Sequence, residues 1–192
     1  MQKNSRRGTV LFSTKRLAFM AVMIAMSIIL GKLLAINVTT MIRISLENLP
    51  IILTAVALGP VAGGTVALVA DILGCVIRGY EINPIVTFGA ISIGVICGLI
   101  YKQRTLSKKW AIKLAIAVYT AHFFGSILIK TLGVSSFYLS SYDMGFLTLF
   151  FIRFGVYIVT AAIEIGIICL LLKNKSLRNQ ILNVKREDKN GL

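Results

Sequence analysis

Acidic side chains are scarce in this sequence. Seven Asp and Glu stand against 21 Lys and Arg in 192 residues, and charged residues of both signs make up only 15%. Soluble domains carry roughly 25%. With 57% hydrophobic residues and a mean hydropathy of +0.85, a water-soluble fold of this length could not bury its apolar surface. The composition is that of a membrane protein, with no room for two large cores. Histidine occurs once, and the three cysteines, Cys75, Cys97 and Cys169, all lie inside apolar runs. No CxxC or Cys/His cluster is present, which argues against a disulfide framework and against a metal site. The patterns H-E-x-x-H, G-x-S-x-G and GxxxxGK(S/T) are missing as well. A chain without its own nucleotide site drives no uphill transport alone, so another subunit would have to couple the energy. The formal charge of +14 would point to nucleic acid if it decorated a soluble surface. Here the cations fall mostly between apolar runs, where the positive-inside rule accounts for them, and no nucleic-acid partner is expected.

Runs long enough to cross about 30 Å of hydrocarbon lie at 17–36, 84–101, 111–132 and 147–172. The first is too long for a signal-peptide core, and Gly31-Lys32-Leu33-Leu34 offers no small-x-small cleavage site. The stretch 49–77 is one long helix or two, 49–58 and 61–77, broken at Gly59-Pro60. Charge decides between them. Basic clusters occur at Lys3, Arg6, Arg7, Lys15 and Arg16, at Lys102, Arg104, Lys108, Lys109 and Lys113, and in the tail from Lys173 to Lys189. Two spans put all three clusters on one side, and one span does not. The expectation is an all-α membrane protein, a single domain of six transmembrane helices. Its basic tails, 1–13 and 174–192, and both termini are then cytoplasmic. The second helix is short and should tilt or stop short of the outer surface. The outer connections are 37–48, 78–83 and 133–146, and the β-rich string Val38–Ile44 leaves the conformation of 37–46 open.

Small residues recur every four positions: Ala21 and Ala25; Gly63 and Ala67; Ala90, Gly94 and Gly98; Ala117, Ala121 and Gly125. Such ladders permit close helix approach. They serve packing inside the bundle or, best for the first span with Ala18, Ala21 and Ala25, docking of another protein. Five cations fall outside the cytoplasmic clusters: Lys32, Arg43, Arg78, Lys130 and Arg153. Five acids accompany them: Glu47, Asp71, Glu81, Asp143 and Glu164. Charges in or beside spans face a cavity or a partner. They could cancel internally, as Asp71 with Arg153 or Arg78 with Glu81. Alternatively, Arg43, Arg78, Lys130 and Arg153 converge on an outward mouth and bind an anion, with Asp71 and Glu81 accepting N–H donors of a ring. Tyr80, Phe88, Phe137, Tyr138 and Tyr142 could stack on that ring or form an interfacial belt. His122, mid-span, reads as a packed, hydrogen-bonded residue rather than a catalyst.

The string Arg43-Ile44-Ser45-Leu46-Glu47-Asn48-Leu49-Pro50-Ile51 is followed by Leu58-Gly59-Pro60, Gly63-Gly64, Ala70-Asp71-Ile72-Leu73-Gly74 and Asn83-Pro84. With these motifs the chain, over about 14–173, resembles the substrate-binding S subunits of energy-coupling factor (ECF) vitamin transporters, and within them the folate branch. The resemblance implies six helices and high-affinity capture of a vitamin from outside. It also implies delivery through a module of one transmembrane scaffold subunit and two ATPases in the cell membrane, with ATP used by those partners and no cofactor held by this chain. It further implies that Ala21 and Ala25, extended by Ala18, contact the scaffold. Arg43 and the loops around 78–84 and 133–146, with Asn83 and Tyr138, would enclose the ligand. Folate, with a flat pterin, an aromatic linker and two carboxylates, suits the cations, aromatics and acids named above. Pantothenate, another anionic vitamin, would need fewer of them. A small membrane enzyme acting on a lipid, with Asp71, His122 and Glu164 as acid/base groups, and a purely structural subunit are the readings from other classes.

Overall fold

Gly59 and Pro60 divide the stretch 49–77, as their local chemistry predicts. Gly59 takes φ 95° and ψ −177°, a conformation that L side chains rarely adopt. Pro60 occupies the first turn of the next helix, where a missing N–H is tolerated. The computed structural model describes residues 14–37, 43–101, 109–138 and 146–174, and these form six helices. Helix α1 runs from Thr14 to Ile28 and continues as a π-helical turn, Ile29–Leu33. Then come α2 (Asn48–Leu58), α3 (Pro60–Arg78) and α4 (Pro84–Ile100). Helix α5 is α-helical over Trp110–Ala121, π-helical over His122–Ile129 and α-helical again over Lys130–Tyr138. Helix α6 is Phe146–Lys173. Thr14–Leu33, Pro60–Arg78, Trp110–Ser136 and Phe146–Lys173 are long and apolar enough to cross a membrane, while α2 and α4 are shorter apolar helices.

Three expected limits shift. The first helix starts at Thr14 and ends at Leu33. The chain then enters a two-residue strand β1 (Ile36–Asn37), which pairs antiparallel with β2 (Arg43–Ile44), Ile36 opposite Ile44. The fifth helix runs on to Tyr138, into the expected connection 133–146. Most of the tails and of the 102–113 cluster lie outside the described residues, as do Asp143 and Tyr142 and the side chains of Arg43, Phe137 and Tyr138.

Helix α2 is buried from Asn48 to Ala57. A helix apolar on all sides belongs at a centre, and α1, α3 and α4 surround it. Its 11 residues span only about 16 Å, so it reaches from one end of the bundle to its middle. Arg16 Nη2 donates to the Leu58 carbonyl at 3.1 Å, placing a cation at the negative end of the helix. Ile52, Val66, Ile93, Leu114, Val118 and Ile168 make the fully buried core around it.

The small-residue ladders divide into two kinds. A Cβ on Gly63 would lie 2.7 Å from Ala55 Cβ and 3.0 Å from the Gly94 carbonyl oxygen, so α2, α3 and α4 meet backbone to backbone there. Ala67, Ala90, Gly98, Ala117, Ala121 and Gly125 are likewise buried. These ladders pack the bundle itself. On α1 the inward stripe is Met20, Met23 and Ser27, and Ala18, Ala21 and Ala25 are exposed on the opposite face.

Asn83 begins α4. Its Oδ1 accepts from the backbone N–H of Ile85 at 3.0 Å and of Val86 at 3.3 Å, and its Nδ2 donates to the Gly133 carbonyl at 2.9 Å. One side chain thus caps α4 and ties it to α5. Loss of a cap costs about 1 kcal/mol and loss of a buried hydrogen bond about the same. Asn83→Ala is therefore expected to lower stability by about 2 kcal/mol, read as a drop in the unfolding midpoint of the detergent-solubilised protein.

Candidate ligand-binding site

On the side of the bundle away from Arg16 lie the C-terminal ends of α1, α3 and α5 and the N-terminal ends of α4 and α6, above the N-terminus of α2. Between them lies a cavity of about 200 Å³. Lys32 of α1, Ser45 and Glu47 before α2, and Asp71 and Cys75 of α3 line one part of it. Tyr80, Glu81, Asn83 and Val86 line another, and Lys130 and Val134 of α5 with Arg153 and Tyr157 of α6 complete it.

Three cations and three acids face the cavity, and their engagements differ. Lys130 Nζ donates to Glu47 Oε1 at 3.1 Å, a pair drawn deep into the wall with Lys130 only 5% exposed. Asp71 Oδ2 accepts the Thr87 hydroxyl at 2.7 Å. Lys32 places its ammonium 6.0 Å from the centre of the Tyr80 ring, at the limit of a cation–π contact. Arg153 is different. Its Nη1 is buried and has no hydrogen-bond partner among the described residues. Leaving such a donor unmade costs about 1–3 kcal/mol or more for a charged group.

Glycines make room for these long side chains. A Cβ on Gly74 would lie 2.5 Å from Lys32 Cε, and one on Gly89 would lie 2.7 Å from Lys130 Cγ. A Cβ on Gly31 would lie 2.6 Å from Glu47 Cβ. Each charged residue therefore lays its apolar stem across a neighbouring helix and carries its polar head to the cavity. Both π-helical segments lie next to this arrangement: Ile29–Leu33 contains Gly31 and Lys32, and His122–Ile129 leads directly into Lys130. The wider π turn changes which face a residue occupies, and such segments are frequent at functional sites.

Of the eight residues proposed from sequence, the structure gathers Asp71, Glu81, Asn83, Lys130 and Arg153 at one cavity. Asn83 is present there, but its side chain is committed to the α4 cap. Arg78 is not on the wall: it lies in the last turn of α3, where Gly79 (φ 66°) turns the chain away, and its side chain is exposed. The side chains of Arg43 and Tyr138 lie outside the described residues, although Arg43 contributes its backbone to β2. Among the described residues neither Asp71–Arg153 nor Arg78–Glu81 forms an ion pair. The acids that pair are Glu47, with Lys130, and Glu164, with His122. Phe88 is exposed and away from the cavity, while Tyr80 reaches it. Sequence reasoning missed Lys32, Glu47 and Tyr157 as wall residues. Lys32 and Glu47 carried the signal of stray charges beside spans, and Tyr157 carried the four-residue spacing from Arg153.

Glu164 lies far from that mouth. His122 Nε2 and Glu164 Oε2 are 2.7 Å apart, and His122 Nδ1 and Ser126 Oγ are 3.1 Å apart. Although Ser, His and Glu in contact resemble a nucleophile relay, Ser126 and Glu164 are fully buried and His122 is 1% exposed, so the hydroxyl is not presented at the surface.

The family model of the ECF transporter substrate-specific component matches residues 15–182. The solved structure of the S component of a bacterial ECF transporter superposes with a TM-score of 0.65 at 20% identity, covering 84% of this chain and 95% of that one. The crystal structure of FolT bound with folic acid superposes with a TM-score of 0.61 at 24% identity, covering 85% of this chain and 95% of that one. No curated protein matches the sequence.

Proposed function

The chain belongs to the ECF transporter substrate-specific component family, and on that premise we propose that it captures an anionic vitamin, folate, in the cavity bounded by Lys32, Asp71, Lys130, Arg153 and Tyr157. Subunits of this family bind a substrate for transport and are not enzymes. The observation that carries the ligand reading is Arg153 Nη1, a buried guanidinium nitrogen without a partner among the described residues in a cavity whose other deep cation, Lys130, is already paired. A ligand carboxylate supplies the missing acceptor. Glu81 and Asp71 suit N–H donors at the edge of a pterin, and Tyr80 and Tyr157 offer ring faces. The similarity to the folate-bound FolT structure supports the same choice.

Orientation follows from the opposite end of the bundle. Lys15 and Arg16 begin α1, Lys109 and Lys113 flank the start of α5, and Lys173 ends α6. The positive-inside rule places that end in the cytoplasm, so the cavity opens outside the cell membrane. Delivery then depends on a transmembrane scaffold subunit and two ATPases that consume ATP, with the exposed face of Ala18, Ala21 and Ala25 as the docking stripe. A second reading has one observation in its favour. The cavity of about 200 Å³ falls below the roughly 300–1,000 Å³ of sites for drug-sized ligands, and pantothenate is smaller than folate.

Mass spectrometry of small molecules retained by the purified protein, followed by calorimetric titration with folic acid and with pantothenate, separates these readings. Retained folate and saturable folic acid binding are expected. Saturation by pantothenate alone would move the assignment to the smaller vitamin, and the absence of any saturable binding would overturn both.

A further inference from the structure

The His122–Glu164 contact is the most deeply buried polar pair among the described residues, and ligand binding as described above makes no use of it. Ionisable groups inside a membrane bundle are costly and are retained where they do something. A buried pair is weak evidence for stability, because apolar residues of similar volume often serve as well or better. What this pair touches shows its use. The His122 ring stacks on Tyr157 at 5.5 Å between centres and 29° between planes, and Tyr157 lines the ligand cavity. Tyr157 also borders an open apolar groove of about 520 Å³ on the far side, with Phe123, Phe124, Phe154 and Ile158. His122 lines the same groove, and its imidazole, stacked on the Tyr157 ring, stands where the ring would otherwise move out of the cavity wall.

Spacing on α6 extends the argument. Arg153, Tyr157 and Glu164 stand four and eleven residues apart, and at 3.6 residues per turn they fall within about 40° of one another on a single face. A rotation of α6 that moved Glu164 would carry Arg153 and Tyr157 with it. Glu164 is fixed by the 2.7 Å contact to His122, and His122 is fixed in turn by Ser126 one turn further along α5.

We propose that His122 and Glu164 form a positioning pair for the ligand cavity, holding the Tyr157 ring in its wall and, through the register of α6, aiming Arg153 at the ligand. The inference rests on the cavity being the binding site proposed above, so its test has one readout that needs no ligand. The full chain is prepared with 3-fluorotyrosine, the Tyr157 line is assigned by Tyr157→Phe, and the parent is compared with the double variant His122→Leu/Glu164→Leu. That variant makes the interface apolar while keeping it filled, and removes the hydrogen bonds and the stack. The Tyr157 fluorine line is expected to shift and broaden, with an unfolding temperature at or above the parent's and folic acid affinity at least tenfold lower. An unchanged fluorine line, or parental affinity in the double variant, would overturn the proposal. A shifted line in a protein that binds no folic acid would leave the positioning pair standing and remove the folate assignment. Should the double variant not fold, Glu164→Gln and Glu164→Leu replace it. Similar in volume, they differ in whether the contact to His122 survives, so affinities at least tenfold apart support the pair and equal affinities overturn it.

Discussion

Arg153→Ala is expected to weaken folic acid binding about thirtyfold, with little change in the unfolding temperature. A hydrogen bond to a charged group contributes about 1.5–3 kcal/mol, and about 2 kcal/mol corresponds to roughly thirtyfold in affinity. The stability of the ligand-free protein should hardly fall, because Arg153 Nη1 satisfies no other group among the described residues and its removal orphans nothing. Lys130→Ala should behave differently. It would remove the buried Lys130–Glu47 contact and destabilise the bundle as well as the site. Lys175→Ala, in the C-terminal tail, is the control and should bind as the parent does. Arg43→Ala should also weaken binding, an expectation resting on its place in β2, just before α2. Calorimetric titration reads all four, and equal affinities for the Arg153 and Lys175 variants would remove the proposed site.

Much of this site could be read from the sequence because the signals are local. The Gly59-Pro60 break needs only one conformation open to glycine and one residue without an N–H. The Asn83-Pro84 start of α4 needs only a cap and a helix-starting proline. Asp71, Lys130 and Arg153 declared themselves as charges inside apolar runs, where the cost of burial demands a use. What escaped were consequences of registry between helices. Spacing puts Arg78 on the same face of α3 as Asp71, yet Gly79 ends the helix there and the side chain faces solvent. The π-helical segments, which place Lys32 and precede Lys130, leave no mark in a period-3.6 reading of the chain. Gly74 and Gly89 fall outside the four-residue ladders, and only the structure shows that the surfaces they accommodate are lysine stems. The folding of α2 into the centre was legible as a problem, a helix too short to span. The solution depended on the cavity above its N-terminus.

The second large effect concerns transport rather than capture. Ala21→Trp or Ala25→Trp is expected to abolish vitamin uptake by whole cells while folic acid affinity of the purified subunit stays within about twofold of the parent. Ala18, Ala21 and Ala25 are exposed on the face of α1 opposite Met20, Met23 and Ser27, so bulk added there meets none of the chain's own core. In the bilayer there is no hydrophobic drive between helices, and association depends on close backbone approach over small residues. An indole at the centre of such a contact would hold the partner helix away, and under the proposed function the scaffold and its ATPases could then not supply the work of moving the ligand inward. The cavity lies at the far ends of the helices, with Lys32 at the end of α1 and Glu47 beyond it, so binding should not register the change. Uptake and purified-subunit titration must therefore part company. If the tryptophan variants lost binding in detergent, the alanine stripe would belong to the architecture of the bundle. If they transported normally, the docking face would have to be sought on another helix.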